Sequence, residues 1–115
     1  MTDGANRDES RGKDLYKQGF ALFAKGDLDG AVARYRDAIE AAPRLAIAWN
    51  GLSLALAKQG RLEDAIDAAE KLVELEPDDP LSHTNLSRIL MQKGLIPEAE
   101  DAKARAMSLQ MQSRK

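Results

Sequence analysis

The sequence predicts an all-α protein, an α-solenoid of three antiparallel helix hairpins, six helices in all. Three observations predict it. Gly26, Gly60 and Gly94 recur at a step of 34 residues. The same step relates Ala31, Ala65 and Ala99, relates Leu22, Leu56 and Leu90, and carries Pro43 onto Pro77. Between these markers apolar side chains return every three or four positions, as in Trp49, Leu52 and Leu56 and then Ile66, Ala69, Leu72 and Val73, the spacing of amphipathic helices. A unit of this length cannot bury its apolar face alone, so adjacent units are expected to stack.

The predicted units run over residues 12–45, 46–79 and 80–113, after an expected unstructured tail at 1–11 that is polar and mixed in charge. Helix one is expected to start near Arg11 or Gly12 with Ser10 as its cap. Within each unit a first helix should stop at the glycine, which adopts the left-handed conformation without a Cβ clash. Asp79 before Pro80 should open the fifth helix, with the carboxylate capping backbone N–H groups and the proline occupying a first-turn position that needs none. Ile96 before Pro97 should open the sixth without a cap. Close approach within a hairpin needs small residues, and Gly19, Ser53 and Ser87 are expected opposite Ala31, Ala65 and Ala99.

Composition excludes several classes of function. With 17 Lys and Arg against 19 Asp and Glu the formal charge is −2, so no strong overall field draws nucleic acid or anionic lipid. No apolar run of about eighteen residues occurs to span a membrane, and residues 1–17 lack a secretory core. There is no cysteine, which removes disulfides, thiolate metal sites and a thiol nucleophile, and fits a reducing cytoplasm. Neither a phosphate-binding glycine loop nor a hydrolase serine elbow is present, so no enzyme activity and no cofactor is expected. His83, the single histidine, has no second ligand or nucleophile near it in sequence and is read as a packed residue. Glu76, Asp78 and Asp79 lack the alternating ligands of a calcium loop and are read as helix-terminal, so no metal is expected.

The middle unit, with Trp49 early in its first helix, then Leu52, Leu56, Gly60, Ala65 and the closing Pro77, resembles the tetratricopeptide repeat, and the resemblance extends over about nine-tenths of the chain. Leu15 and His83 stand where Trp49 stands, and Met111 replaces the closing proline, so the outer repeats depart further from the pattern. The resemblance implies a right-handed superhelix whose first helices line a concave groove, and an interaction module or adaptor that holds a peptide or protein segment there. The implied lining is Lys13, Tyr16, Lys17, Phe20 and Phe23 in the first repeat. It continues with Ile47, Asn50, Leu54 and Lys58 in the second, and Leu81, Thr84, Asn85, Arg88 and Met91 in the third. Helical spacing of aromatics also fits core packing, so Phe20 and Phe23 carry both readings.

Family members that grip the C-terminal carboxylate of a chaperone use lysines, asparagines and an arginine at places that correspond here to Tyr16, Phe20, Gly51, Leu81 and Asn85. Without paired cations a carboxylate loses its water uncompensated, so such a tail is not an expected ligand. The rival reading is a scaffold that self-assembles or docks through its convex or terminal surfaces. In the third repeat Glu100 and Lys103 replace the apolar residues that pack between repeats, which suits an outer face meeting water. Met107 and Met111 remain there as a soft contact through which a homodimer could form, and no helix is expected after Ser113.

Overall fold

The computed structural model describes the backbone of residues 2–113 and the side chains of 8–113. Its elements are α1 (Thr2–Ala24), α2 (Leu28–Ala41), α3 (Ala46–Lys58), α4 (Leu62–Leu75), α5 (Pro80–Lys93) and α6 (Ile96–Ser113). No strand occurs among the described residues. The helices pair as α1 with α2, α3 with α4 and α5 with α6, and each second helix also packs on the first helix of the following pair.

The expected start of helix one needs correction. Residue 1 of the expected tail lies outside the described residues, but over 2–11 the backbone is helical, and Ser10 lies inside α1 instead of capping it. Gly12 fixes the helix, because it lies buried so close to α2 that an added Cβ would come 2.8 Å from the Ala42 Cβ. Once a turn is anchored there, each further residue adds a hydrogen bond without a new nucleation cost. An i,i+4 ion pair between Glu9 and Lys13 at 3.4 Å supports the extension.

The three turn glycines behave as the sequence predicts, with φ of 86° at Gly26, 78° at Gly60 and 89° at Gly94. One consequence repeats at each. The N–H of the residue after each glycine donates back to the leucine carbonyl five residues earlier: Asp27 to Leu22 at 2.9 Å, Arg61 to Leu56 at 3.0 Å and Leu95 to Leu90 at 2.9 Å. These bonds satisfy carbonyls that a helix end would otherwise leave unpaired. At helix starts, Asp27 accepts from the Gly30 N–H at 2.9 Å and Asp79 from the Leu81 N–H at 3.0 Å, with Pro80 in the first turn.

Two of the three expected small-residue contacts are seen, those of Gly19 and Ser87. A Cβ on Gly19 would come 3.3 Å from the Ala31 carbonyl oxygen, and the Ser87 hydroxyl donates to the Ala99 carbonyl at 2.7 Å. The core runs through the stack, with Tyr35, Leu56 and Ile89 among its largest fully buried side chains. The second pair's Trp49 donates its indole N–H to the Pro43 carbonyl at 2.8 Å. One repeat later His83 lies buried with Nε2 2.7 Å from the Pro77 carbonyl. A carbonyl only accepts, so Nε2 carries the proton, and the imidazole reproduces the indole's bond. His83 is therefore a structural residue that closes the loop before its helix.

Candidate binding groove

The helices form two layers with different spacing. The first helices touch one another, α1 against α3 and α3 against α5, while α2, α4 and α6 make no close backbone contact with each other. A sheet of helices that is tighter on one layer curves toward that layer, so α1, α3 and α5 form the concave side. The residues of these helices that return at intervals of three and four, starting from Lys13, Ile47 and Leu81, share that face.

The aromatic end of the face is built around a side chain that comes from the other layer. Tyr35 of α2 is 2% exposed, and its ring passes between α1 and α3 where both carry glycine. A Cβ on Gly19 would lie 2.7 Å from its Cδ1, and a Cβ on Gly51 2.7 Å from its Cζ. The ring stacks on Tyr16 at 5.6 Å between centroids and 30° between planes. Tyr16 in turn lies 6.2 Å from Phe20. Burial raises the phenol pKa of Tyr16, and burial with the neighbouring Tyr16 pushes that of Tyr35 up to about 12.

Phe20 ends this aromatic series 55% exposed, whereas Phe23 is half-buried against the core. The two readings of these aromatics therefore divide between them: Phe23 packs and Phe20 faces solvent. The Lys58 ammonium sits over the Phe23 ring, 5.3 Å from its centroid, and joins the ends of α1 and α3.

The α3–α5 half of the face is polar. Asn85 is 7% exposed, and its amide N–H group donates to Asn50 Oδ1 at 2.9 Å and to Ser53 Oγ at 2.8 Å. Its own Oδ1 is buried and has no hydrogen-bond partner among the described residues. Asn85 is thus turned into the α3–α5 junction, and Asn50, half-buried, is the amide of the pair nearer to solvent. Thr84 is half-buried and donates back to the Pro80 carbonyl at 3.0 Å. Gln92 donates to the Ala57 carbonyl at 3.2 Å and ties α5 to the end of α3.

Ile47, Leu81 and Met91 are exposed at 46%, 70% and 43%, and Leu54 is half-buried at the centre. Lys13, Lys17 and Arg88 are exposed on the same side. Sequence reasoning had no place on this face for Tyr35, Gly51 as the gap it fills, or Gln92. A signal existed for each: two glycines, at 19 and 51, flank one large residue in the stacking order, and Gln92 stands one repeat after Lys58. The described residues hold no group of three or more His, Cys, Asp or Glu able to bind a metal ion. No helix among them is long and apolar enough to cross a membrane.

A stack of helical hairpins with a continuous inner face defines a helical-repeat protein of the kind that presents a concave surface. The chain belongs to the tetratricopeptide repeat family, whose models match residues 16–80 and 56–112. Among curated proteins none matches the sequence. Solved structures share the fold. MamA superposes with a TM-score of 0.85 at 23% identity, over 90% of this chain and 60% of the MamA chain. The second tetratricopeptide domain of Spaghetti, bound to the HSP90 peptide SRMEEVD, gives 0.84 at 17% identity, over 91% of this chain and 97% of that one. A chain of the CopN–Scc3 complex gives 0.80 at 20% identity, over 85% of this chain and 58% of that one. This chain therefore spans about three fifths of the MamA and CopN–Scc3 chains it matches.

Proposed function

We propose that the chain is a non-catalytic adaptor that holds a peptide or protein segment in the groove formed by α1, α3 and α5. The carrying observation is Phe20. A large aromatic more than half exposed, beside a packed Tyr16–Tyr35 stack, offers the kind of apolar area that anchors a bound segment. Leu54 and Met91 extend the apolar surface, and Asn50 offers an amide to the backbone of a bound segment. A structural relative bound to a peptide supports the reading by analogy.

The places that a chaperone-tail clamp would fill hold Tyr16, Phe20, Gly51, Leu81 and Asn85, with no cation among them and Asn85 turned inward. We therefore propose that recognition does not depend on a C-terminal carboxylate. The test is a random peptide display library panned on the full chain, with binders retested on Phe20→Glu. We expect affinity to fall at least about tenfold while the melting curve stays within a degree or two, because Phe20 is exposed and an anchor residue is worth roughly 2 kcal/mol. Binders that ignore Phe20→Glu but are lost on Met107→Glu would replace this reading with a scaffold working through α6, where Met107 and Met111 are 54% and 67% exposed. Light scattering over a concentration series adds a second check: a monomer throughout fits an adaptor, and a stable homodimer fits the scaffold.

A further inference from the structure

We infer that the groove selects an acidic segment, one whose side-chain carboxylates alternate with bulky apolar residues. This rests on the groove reading above and adds the chemistry of the occupant. The near-zero net charge conceals a division between the two layers of helices. Neither α3 nor α5 contains an Asp or Glu, and α1 from Gly12 onward contains only Asp14, which lies off the groove-facing series. The acidic residues gather on the opposite layer, most densely on α4 with Glu63, Asp64, Asp67, Glu70 and Glu74.

The cations on the groove side are largely free to meet a ligand. Lys17, Lys58 and Arg88 make no ion pair among the described residues, whereas Lys93 is paired with Glu63 at 3.3 Å and Lys13 with Glu9. The three free cations belong to three different first helices, so they are spread along the groove. Each shares its helix with one apolar residue of the groove series, Phe20 on α1, Leu54 on α3 and Met91 on α5. Lys58 is additionally held over the Phe23 ring, which restricts its position without neutralising it. A ligand with carboxylates spaced between apolar side chains would meet both sets at once. A basic segment would meet uncompensated like charge.

Nucleic acid is the other polyanion to weigh. A phosphate backbone carries continuous charge, and three unpaired cations release few counterions. Discrete carboxylates suit this surface better. A second copy presenting the acidic α4 is the remaining occupant, and it makes a separate prediction.

The experiment pans three dodecamer display pools on the full chain. All share Leu, Phe and Met at a third of positions, with the remainder drawn from Asp, Glu and Ser, from Asn, Gln and Ser, or from Lys, Arg and Ser. The acidic pool is expected to dominate the binders that depend on Phe20. Each of Lys17→Glu and Arg88→Glu, with unchanged circular dichroism, should weaken those binders about fivefold. Added salt should weaken them further, and amidating the peptide C-terminus should change nothing. Phe20-dependent binders drawn equally from the neutral or basic pool would overturn the inference and leave the groove reading standing. An absence of Phe20-dependent binders from every pool would remove the groove reading and the inference together. Competition of the selected peptides by polyuridylate at equal affinity, or a dimer in sedimentation velocity that Arg88→Glu dissolves, would assign the cations to another occupant and overturn it.

Discussion

The two junctions between helix pairs solve the same packing problem with opposite chemistry. At the first, the three places that meet are Gly19 on α1, Tyr35 on α2 and Gly51 on α3, and one large ring fills the space. One repeat on, the same places hold Ser53, Ala69 and Asn85. There the bulk has moved from the second helix to the following first helix, and the contact is a hydrogen bond of 2.8 Å from Asn85 to Ser53. The backbone is common to both, so the repeat fixes which positions meet and leaves open which of them supplies the volume. That freedom gives the groove an aromatic floor at one end and an amide floor at the other.

The largest expected effect is on the aromatic junction. Tyr35→Ala removes a buried ring that three helices share and should cost about 3–5 kcal/mol, read as a fall in the urea midpoint at unchanged slope. A loss below about 1 kcal/mol would mean that Gly19 and Gly51 close the gap unaided. Exchanging the chemistries sharpens the comparison. Ala69→Tyr alone should destabilise by about 1–3 kcal/mol, because Asn85 already occupies the space. Adding Ser53→Gly and Asn85→Gly, which copies the first junction, should recover most of that loss. Additive effects in a mutant cycle would show that the two places do not share one volume.

A smaller effect distinguishes the junctions by pH. The Tyr35 phenol is raised to about 12 by burial and by Tyr16, against about 10 in an unfolded chain. A group that holds its proton more tightly when folded contributes stability that is complete below the unfolded pKa and is lost as pH rises through the folded one. Stability should therefore fall between about pH 10 and 12, and Tyr35→Phe should fall less steeply over that window. Parallel curves for the two proteins would show that the phenol is not the source.

Much of this was legible in the sequence because it depends on short-range rules. Turn glycines, the Asp79–Pro80 start and the 34-residue step each express a local constraint, and each is found where the residues place it. Which face of each first helix lines the groove was implied only by the family resemblance. Orientation within that face was not legible. Asn85 lies on the groove series yet turns inward, because Ala69 leaves a space behind it, and that space is set by a residue on another helix. Phe23 and Phe20 are three apart on one helix, but only the first reaches the core. Helix one extends to Thr2 although its residues lack an apolar pattern, since an anchored helix propagates on backbone bonds that composition does not display.

Amide chemical shifts of the full chain, followed as a selected Phe20-dependent peptide is added, address the groove itself. Shifts should concentrate on α1, α3 and α5 around Phe20, Leu54 and Arg88, with α2, α4 and the outer face of α6 nearly still. A footprint centred on α4 or on Met107 and Met111 would show that the partner is held on the convex or terminal surface, and that the inner face of the stack is not where this protein binds.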